Sequence, residues 1–129
     1  MNIKENMLLA DFLGWEKEGF YFNLKTGNLV KKENDNCDLQ PAMYYIKNGK
    51  PVQSLLFNSD WNWLMLVVEK INTIEGGRFT FQIMSMDVEI HDYLKGGLYI
   101  DFFSGNTPDQ LIKSVYEACV EFVKKYNNE

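Results

Sequence analysis

The chain of 129 residues is 46% hydrophobic and 15% aromatic, and its formal net charge is −5. This composition supplies a hydrophobic core of ordinary domain size, so it excludes an intrinsically disordered chain and predicts a single domain over residues 1–129. The longest strongly apolar run, Leu64 to Val68, is far shorter than the roughly 20 residues of a transmembrane helix.

The negative charge lies entirely in the C-terminal part of the chain. Residues 1–58 carry seven basic and seven acidic side chains, whereas residues 59–129 carry six basic and eleven acidic ones. Such an excess disfavours direct binding to the phosphates of nucleic acid and suits a basic partner. Mild acidity also simply aids solubility, so both interpretations stay open.

The N-terminus and the cysteines predict the compartment. The opening Met-Asn-Ile-Lys-Glu-Asn lacks the apolar stretch of a signal peptide, so we expect a cytoplasmic protein without a membrane segment. Cys37 and Cys119 are then expected to be reduced thiols, with Cys119 in the core. The sequence has one histidine, no zinc-ligand spacing, no phosphate loop and no dinucleotide fingerprint, so we predict no metal, no cofactor and no catalytic residue.

The first predicted elements are a helix and a hairpin. Apolar residues at helical spacing predict a helix over 3–13, with Asn2 as its N-cap and Glu5 three residues later. The aromatic run 20–22 indicates a strand, and the turn that follows it predicts a return strand at 29–30.

A second hairpin is predicted after a polar segment. Residues 31–42 are polar and are the best candidate for a mobile loop. Residues 44–46 form the predicted outgoing strand, Asn48-Gly49 the turn, and residues 52–57 the return strand, because Asn-Gly tolerates the positive φ angles of tight hairpin turns. Pro51 indicates either an edge strand or a strand that starts after it.

The C-terminal half predicts a helix and then a meander. Ser59 or Asp60 caps a helix over 60–74, which Gly76-Gly77 ends. Alternating apolar and polar residues then predict three antiparallel strands joined by short links, in the segments 79–84, 87–91 and 98–103.

The last helix has the clearest start signal. Thr107 is the predicted N-cap, Pro108 is the first helical residue, and Gln110 completes a capping box. The complete pattern predicts an α+β fold, in which an antiparallel three-stranded meander and short hairpin strands pack with three helices in an α–β–α layered arrangement.

One set of side chains is a candidate binding site. Asp87, Glu89 and His91 alternate along one predicted strand and therefore share a face, with Asp101 and Tyr99 expected one strand over. Two carboxylates and an imidazole suit a cation or acid–base chemistry. The same pattern is typical of the solvated face of an antiparallel sheet, and that alternative stays open.

Aromatic residues form the second candidate surface. Trp15 and Tyr45 are the two we select as candidate binding residues, because aromatics stack on ligands and dominate protein interfaces. Tyr44 and Tyr45 are adjacent on one strand, so at least one of them is expected to be exposed or covered by a partner. Core packing is the favoured explanation for most of the N-terminal aromatics, and an exposed binding surface is the alternative. The remaining members of this group are Phe20, Tyr21, Phe22, Trp61 and Trp63.

Three segments also carry a family resemblance: Leu13-Gly14-Trp15-Glu16, Ser59 to Met65 running into Val67–Ile71, and Ala118 to Asn127. Together they resemble the small bacteriophage and prophage proteins, common in Bacteroidetes, that have a phage ABA-sandwich domain. The resemblance implies an α–β–α layered fold and a phage-associated setting, and it carries over no catalytic residue. Leu66 departs from the family, in which proline is frequent at this position and would kink the helix.

We therefore predict a non-enzymatic, phage- or prophage-encoded accessory protein that acts in the host cytoplasm. Its expected partner is a host or phage protein, for example a defence component that it binds or inhibits, and a homodimer stays open as its oligomeric state. The alternative is a small-molecule or nucleotide-binding protein that sequesters its ligand. A small metal-dependent enzyme built on Asp87, Glu89 and His91 has less support.

Overall fold

The computed structural model describes residues 2–31, 38–84, 87–103 and 108–129. These residues form three α-helices and two antiparallel sheets of four and three strands, which confirms the predicted α+β class. The chain divides into two compact units, which we call the main unit (Met1–Leu13 with Leu55–Glu129) and the strand unit (Gly14–Ser54). The single domain predicted over 1–129 stays a prediction.

The strand unit is a four-stranded sheet in the order β2-β1-β3-β4. Asn48 and Gly49, with φ angles of 55° and 77°, make the predicted tight turn between the last two strands. The four strands are β1 (Lys17–Asn23), β2 (Leu29–Val30), β3 (Leu39–Lys47) and β4 (Lys50–Pro51).

Two predictions for this part of the chain are wrong. No strand forms over 52–57: β4 ends at Pro51, although the Val52 N–H still donates to the Tyr45 carbonyl at 2.9 Å, and Phe57 is a fully buried core residue of the main unit. Residues 39–42, expected in the mobile loop 31–42, belong to β3 and pair with β1. Residues 32–37 of that loop, including Cys37, lie outside the described residues.

The main unit packs its second and third helices against a three-stranded sheet and its first helix against the third. Its sheet has the order β5-β6-β7, as the meander predicted. A short 3₁₀ turn at Ile74–Gly76 leads from the second helix into this sheet. The elements are α1 (Ile3–Phe12), α2 (Trp61–Thr73), β5 (Phe79–Ile83), β6 (Asp87–Asp92), β7 (Leu98–Phe103) and α3 (Pro108–Asn127).

The helix starts agree only partly with the sequence signals. The Asp60 carboxylate accepts a hydrogen bond of 2.8 Å from the Asn62 N–H, which confirms Asp60 as the cap of α2. Asn2 precedes α1, but its side chain makes no capping bond, because its φ of −95° and ψ of 13° are not the extended conformation of an N-cap. Thr107, the predicted cap of α3, lies outside the described residues.

An aromatic cluster forms the centre of the core. The ring of Phe122 on α3 lies 4.7 Å from that of Phe79 on β5 and 5.5 Å from that of Tyr99 on β7. Cys119 is fully buried as expected, and burial raises the pKa of its thiol, so it behaves as a small apolar residue. Among the described residues, no helix combines the length and the apolar character needed to cross a membrane.

Candidate functional site

The outer face of the three-stranded sheet carries the candidate residues of β6. The backbone carbonyl of Asp87 accepts a hydrogen bond from the Met84 N–H, so the backbone groups of Asp87 point toward β5. Because alternate residues of a strand point the same way, the backbone groups of Glu89 and His91 also point toward β5. Glu89 therefore faces Asp101 of β7 as a pair without mutual backbone hydrogen bonds. Side chains approach each other most closely in pairs of this kind.

Three carboxylates meet on this face. Asp87, Glu89 and Asp101 each offer an oxygen atom, and the three atoms lie within 4.8 Å of one another. We call these three residues the acidic cluster. Asp101 is exposed, whereas Asp87 and Glu89 are half-buried. The prediction that Asp87, Glu89 and Asp101 lie close together on one face of the sheet is therefore confirmed.

His91 extends the acidic cluster along β6. Its Nε2 lies 2.8 Å from the Glu89 Oε1, which is hydrogen-bonding distance and becomes an ion pair when the imidazole is protonated. The predicted set of Asp87, Glu89 and His91 is therefore contiguous. Its carboxylates can hold a cation, whether an ammonium or guanidinium group or a metal ion.

Like charges at this distance repel each other. Carboxylates directly opposite on neighbouring strands destabilise a sheet. Within the described part of the chain, no lysine or arginine forms an ion pair with Asp87, Glu89 or Asp101. The three carboxylates therefore lack a lysine or arginine that would offset their repulsion within the described residues.

A direct consequence is that neutralising one carboxylate should stabilise the protein. We expect Asp101→Asn to raise the free energy of unfolding by about 0.5 kcal/mol, because it removes repulsion from Glu89 without changing the packing. Urea denaturation at low salt would measure the gain, which should shrink at high salt as the repulsion is screened. A loss of stability would mean that Asp101 supports the fold.

Tyr99 does not join this site, contrary to the sequence prediction. His91 pairs with Leu98 while Ile90 pairs with Ile100, so Tyr99 is the extra residue of a β-bulge. The bulge turns Tyr99 to the core face, where it is 8% exposed and packs against the ring of Phe79. Leu98 is turned to the outer face in its place.

The core environment determines the properties of Tyr99. The Lys125 Nζ lies 4.0 Å from the centre of its ring. Burial, with a smaller contribution from the Glu129 carboxylate, raises the pKa of the Tyr99 hydroxyl to about 12. Among the described residues this hydroxyl has no hydrogen-bond partner.

Trp15 and Tyr45 both belong to the strand unit. Tyr45 is buried, with the Lys17 Nζ 4.9 Å from its ring centre, and Trp15 is half-buried. Tyr44 points to the other face of β3 and meets Phe20 edge-on at 6.1 Å. The two adjacent tyrosines thus lie on opposite faces of β3, and neither is exposed.

Sequence reasoning missed a second polar constellation, at the turn between β6 and β7. Arg78 forms a bidentate pair with the buried Asp92, with Nη2–Oδ2 and Nε–Oδ1 distances of 2.8 and 3.0 Å. Arg78 also contacts the carboxylates of Glu75 and Glu129, each at 3.0 Å. Its hydrogen bonds lower the pKa of Asp92 to about 2.

Asp92 also shapes the turn itself. Its Oδ1 accepts hydrogen bonds from the backbone N–H groups of Leu94 and Lys95, at 3.0 and 3.3 Å. The sequence did contain a signal for this pair. Asp92 stands two residues after Ile90 and four after Val88, so its side chain points to the same buried face of β6. A carboxylate there requires a cation, and Arg78 is the sole arginine of the chain.

Comparisons of this chain with protein-family models, with curated proteins and with solved structures found no match. The resemblance to phage ABA-sandwich proteins therefore stays a prediction.

Proposed function

We propose that this protein is a non-enzymatic interaction protein that binds a positively charged partner through the acidic cluster. The observation that carries the proposal is the like-charge pair of Glu89 and Asp101, joined by Asp87 within 4.8 Å and without a lysine or arginine partner among the described residues. A lysine or arginine of a partner would supply that cation and relieve the repulsion.

The biological setting of the proposal rests on the family resemblance. A phage- or prophage-encoded accessory protein of this kind acts in the bacterial cytoplasm on a host or phage protein, such as a defence component with a basic surface. The charge of the acidic cluster repels the phosphates of nucleic acid, so it favours a protein partner over DNA or RNA.

The nucleotide-binding alternative has less support from the geometry. Phosphates need free basic groups, and the guanidinium of Arg78 is engaged by Asp92, Glu75 and Glu129. A divalent ion is a second candidate occupant of the acidic cluster, favoured by the 4.8 Å grouping of its oxygens. Calcium takes roughly six to eight oxygen ligands, more than three monodentate carboxylates offer.

The proposal predicts that a basic peptide binds the acidic cluster more tightly than it binds other acidic residues on the surface. We expect a fluorescent oligolysine peptide to bind the wild-type protein, and the double substitution Glu89→Gln/Asp101→Asn to weaken binding about five- to tenfold, because two charge contacts are lost. Fluorescence anisotropy at several salt concentrations would measure the affinity. Calcium and manganese titrations on the same samples test the divalent ion.

The matched control carries the same change in charge elsewhere. Glu16 and Glu69 are exposed, belong to different units and lie outside the acidic cluster. The variant Glu16→Gln/Glu69→Gln should keep nearly the wild-type affinity. Equal losses in the two double variants would show general attraction to net charge, and no loss in either would reject the acidic cluster as the binding surface.

A further inference from the structure

The edge of β7 leaves backbone groups open to a further strand. In β6, Val88 and Ile90 direct their backbone groups toward β7 and pair with Phe102 and Ile100. The alternation of a strand then turns the N–H and C=O of Asp101 away from β6. Since β7 is the last strand of the sheet, these groups face the edge, and neither has a hydrogen-bond partner among the described residues.

Helix side chains close other parts of the two edges. On β5, the Asn72 Oδ1 accepts a 2.7 Å hydrogen bond from the outward N–H of Phe81. On β7, the Lys125 Nζ donates to the outward carbonyl of Tyr99 at 3.1 Å. Natural proteins protect sheet edges in this way, and the outward backbone groups of Asp101 have no such protection among the described residues.

A groove is lined mostly by α3, with Phe102 of β7 and Asn2, Glu5 and Asn58 completing its lining. Its volume is about 410 Å³, within the range of ligand pockets, and we call it the α3 groove. Its apolar lining comes from Phe102 of β7 and from Tyr116 and Val120 of α3. Extended peptides bind exposed sheet edges by adding a strand, and neighbouring pockets hold alternate side chains of the peptide.

The charges of the α3 groove favour a basic occupant. Glu5 and Glu117 line it and are half-buried, and neither has an ion pair or hydrogen bond within the described ranges. Two further lining residues, Lys124 and Glu121, pair with each other at 3.6 Å, which leaves Lys113 as the cation that opposes two carboxylates.

We propose that an extended basic peptide segment of a partner protein adds to the sheet as a strand along β7. Its backbone bonds to the N–H and C=O of Asp101. Side chains of an extended strand alternate between two faces, so one set enters the α3 groove near Glu117 and the other meets the acidic cluster on the outer face. This inference rests on the proposed function and specifies the form of the partner.

The first test uses a probe peptide that alternates lysine and valine and carries a fluorophore. Its counterpart is methylated at two consecutive central backbone nitrogens. The methyl groups remove one N–H donor from each edge of the extended peptide and leave all its charges unchanged. We expect at least about tenfold weaker binding of the methylated peptide to the wild-type protein, because strand addition needs those donors. Equal affinity for both peptides would overturn strand addition.

The second test separates the backbone from the charge at one position. Asp101→Asn removes the charge and keeps the edge N–H, whereas Asp101→Pro removes both, and proline is tolerated where the N–H faces outward. We expect the proline variant to bind the unmethylated peptide about five- to tenfold more weakly than the asparagine variant. The methylated peptide should not distinguish the two variants.

The outcomes separate the two proposals. If both variants bind the probe equally weakly, the charge acts without strand addition, so the acidic cluster stands and the inference fails. If neither variant weakens binding, both proposals fail. Should the proline variant not fold, protection of the Asp101 amide from hydrogen exchange on addition of peptide to the wild-type protein replaces it, and an unprotected amide contradicts the inference.

Discussion

Replacing Asp92 by alanine should lower the free energy of unfolding by about 3 kcal/mol, because it leaves a buried guanidinium without its main partner. The Asp92 side chain is 4% exposed and pairs with Arg78 at 2.8 Å, and its carboxylate also holds two backbone N–H groups of the following turn. Urea denaturation followed by tryptophan fluorescence would measure the loss.

Asp101→Ala is the matched control for this substitution. Both aspartates lie on the same sheet, but Asp101 is exposed and has no ion pair among the described residues. We expect its replacement to change stability by less than about 0.5 kcal/mol. Similar losses of unfolding free energy for the two variants would mean that the Arg78–Asp92 pair does not stabilise the fold more than an exposed aspartate does.

Acid pH provides a second measure of the same pair. The folded-state pKa of Asp92 is lowered to about 2, whereas a free aspartate titrates near pH ~3.9. Its contribution is therefore complete above the unfolded-state pKa and is lost as the pH falls toward the folded-state pKa. The difference in stability between the wild type and Asp92→Ala should shrink from pH 5 to about pH 2, and a constant difference would contradict this assignment.

Local signals in the sequence located most elements of the main unit. Asp60 before an apolar stripe predicted the start of α2, and the period-2 alternation of β5 and β6 predicted the meander and its apolar face. These signals work because a cap or an alternating strand depends mainly on residues close in the chain. The same alternation located Asp87 and Glu89 of the acidic cluster.

The bulge at Tyr99 shows where the local signal failed. A single inserted residue reverses the alternation before it, so the side chains of Leu98 and Tyr99 exchange faces. Nothing in the run Leu98-Tyr99-Ile100 distinguishes a regular strand from a bulged one, because all three residues suit a buried strand. The aromatic cluster of Phe79 and Phe122, formed by distant segments, provides the space that Tyr99 fills.

The Arg78–Asp92 pair was missed for a related reason. Fourteen residues separate the two, and only the pairing of β5 with β6 places their side chains together. The alternation of Val88 and Ile90 extends to Asp92, which the predicted strand over 87–91 left out, and nothing local indicates which cation neutralises it. The α3 groove is likewise a tertiary feature, since its lining comes from α1, β7 and α3.

Shortening Phe79 to alanine should cost about 3 to 5 kcal/mol, because its ring is the point at which the aromatic core joins the Arg78 network. Phe79 is 1% exposed, its ring lies 4.9 and 4.7 Å from those of Tyr99 and Phe122, and the Arg78 guanidinium carbon lies 4.6 Å from its centre. Alanine removes these contacts and leaves a cavity that the sheet cannot close. Urea denaturation would measure the loss.

Two further variants distinguish the core role of Phe79 from a general effect of removing an aromatic ring. Phe79→Leu keeps most of the apolar volume and should cost less than half as much as alanine. Tyr93→Ala removes a ring that is 66% exposed and should change stability by less than about 0.5 kcal/mol. Near-equal costs for Phe79→Ala and Tyr93→Ala would contradict a core organised around Phe79. The expected ranking would instead show that the aromatic core on the apolar face of the sheet maintains the fold.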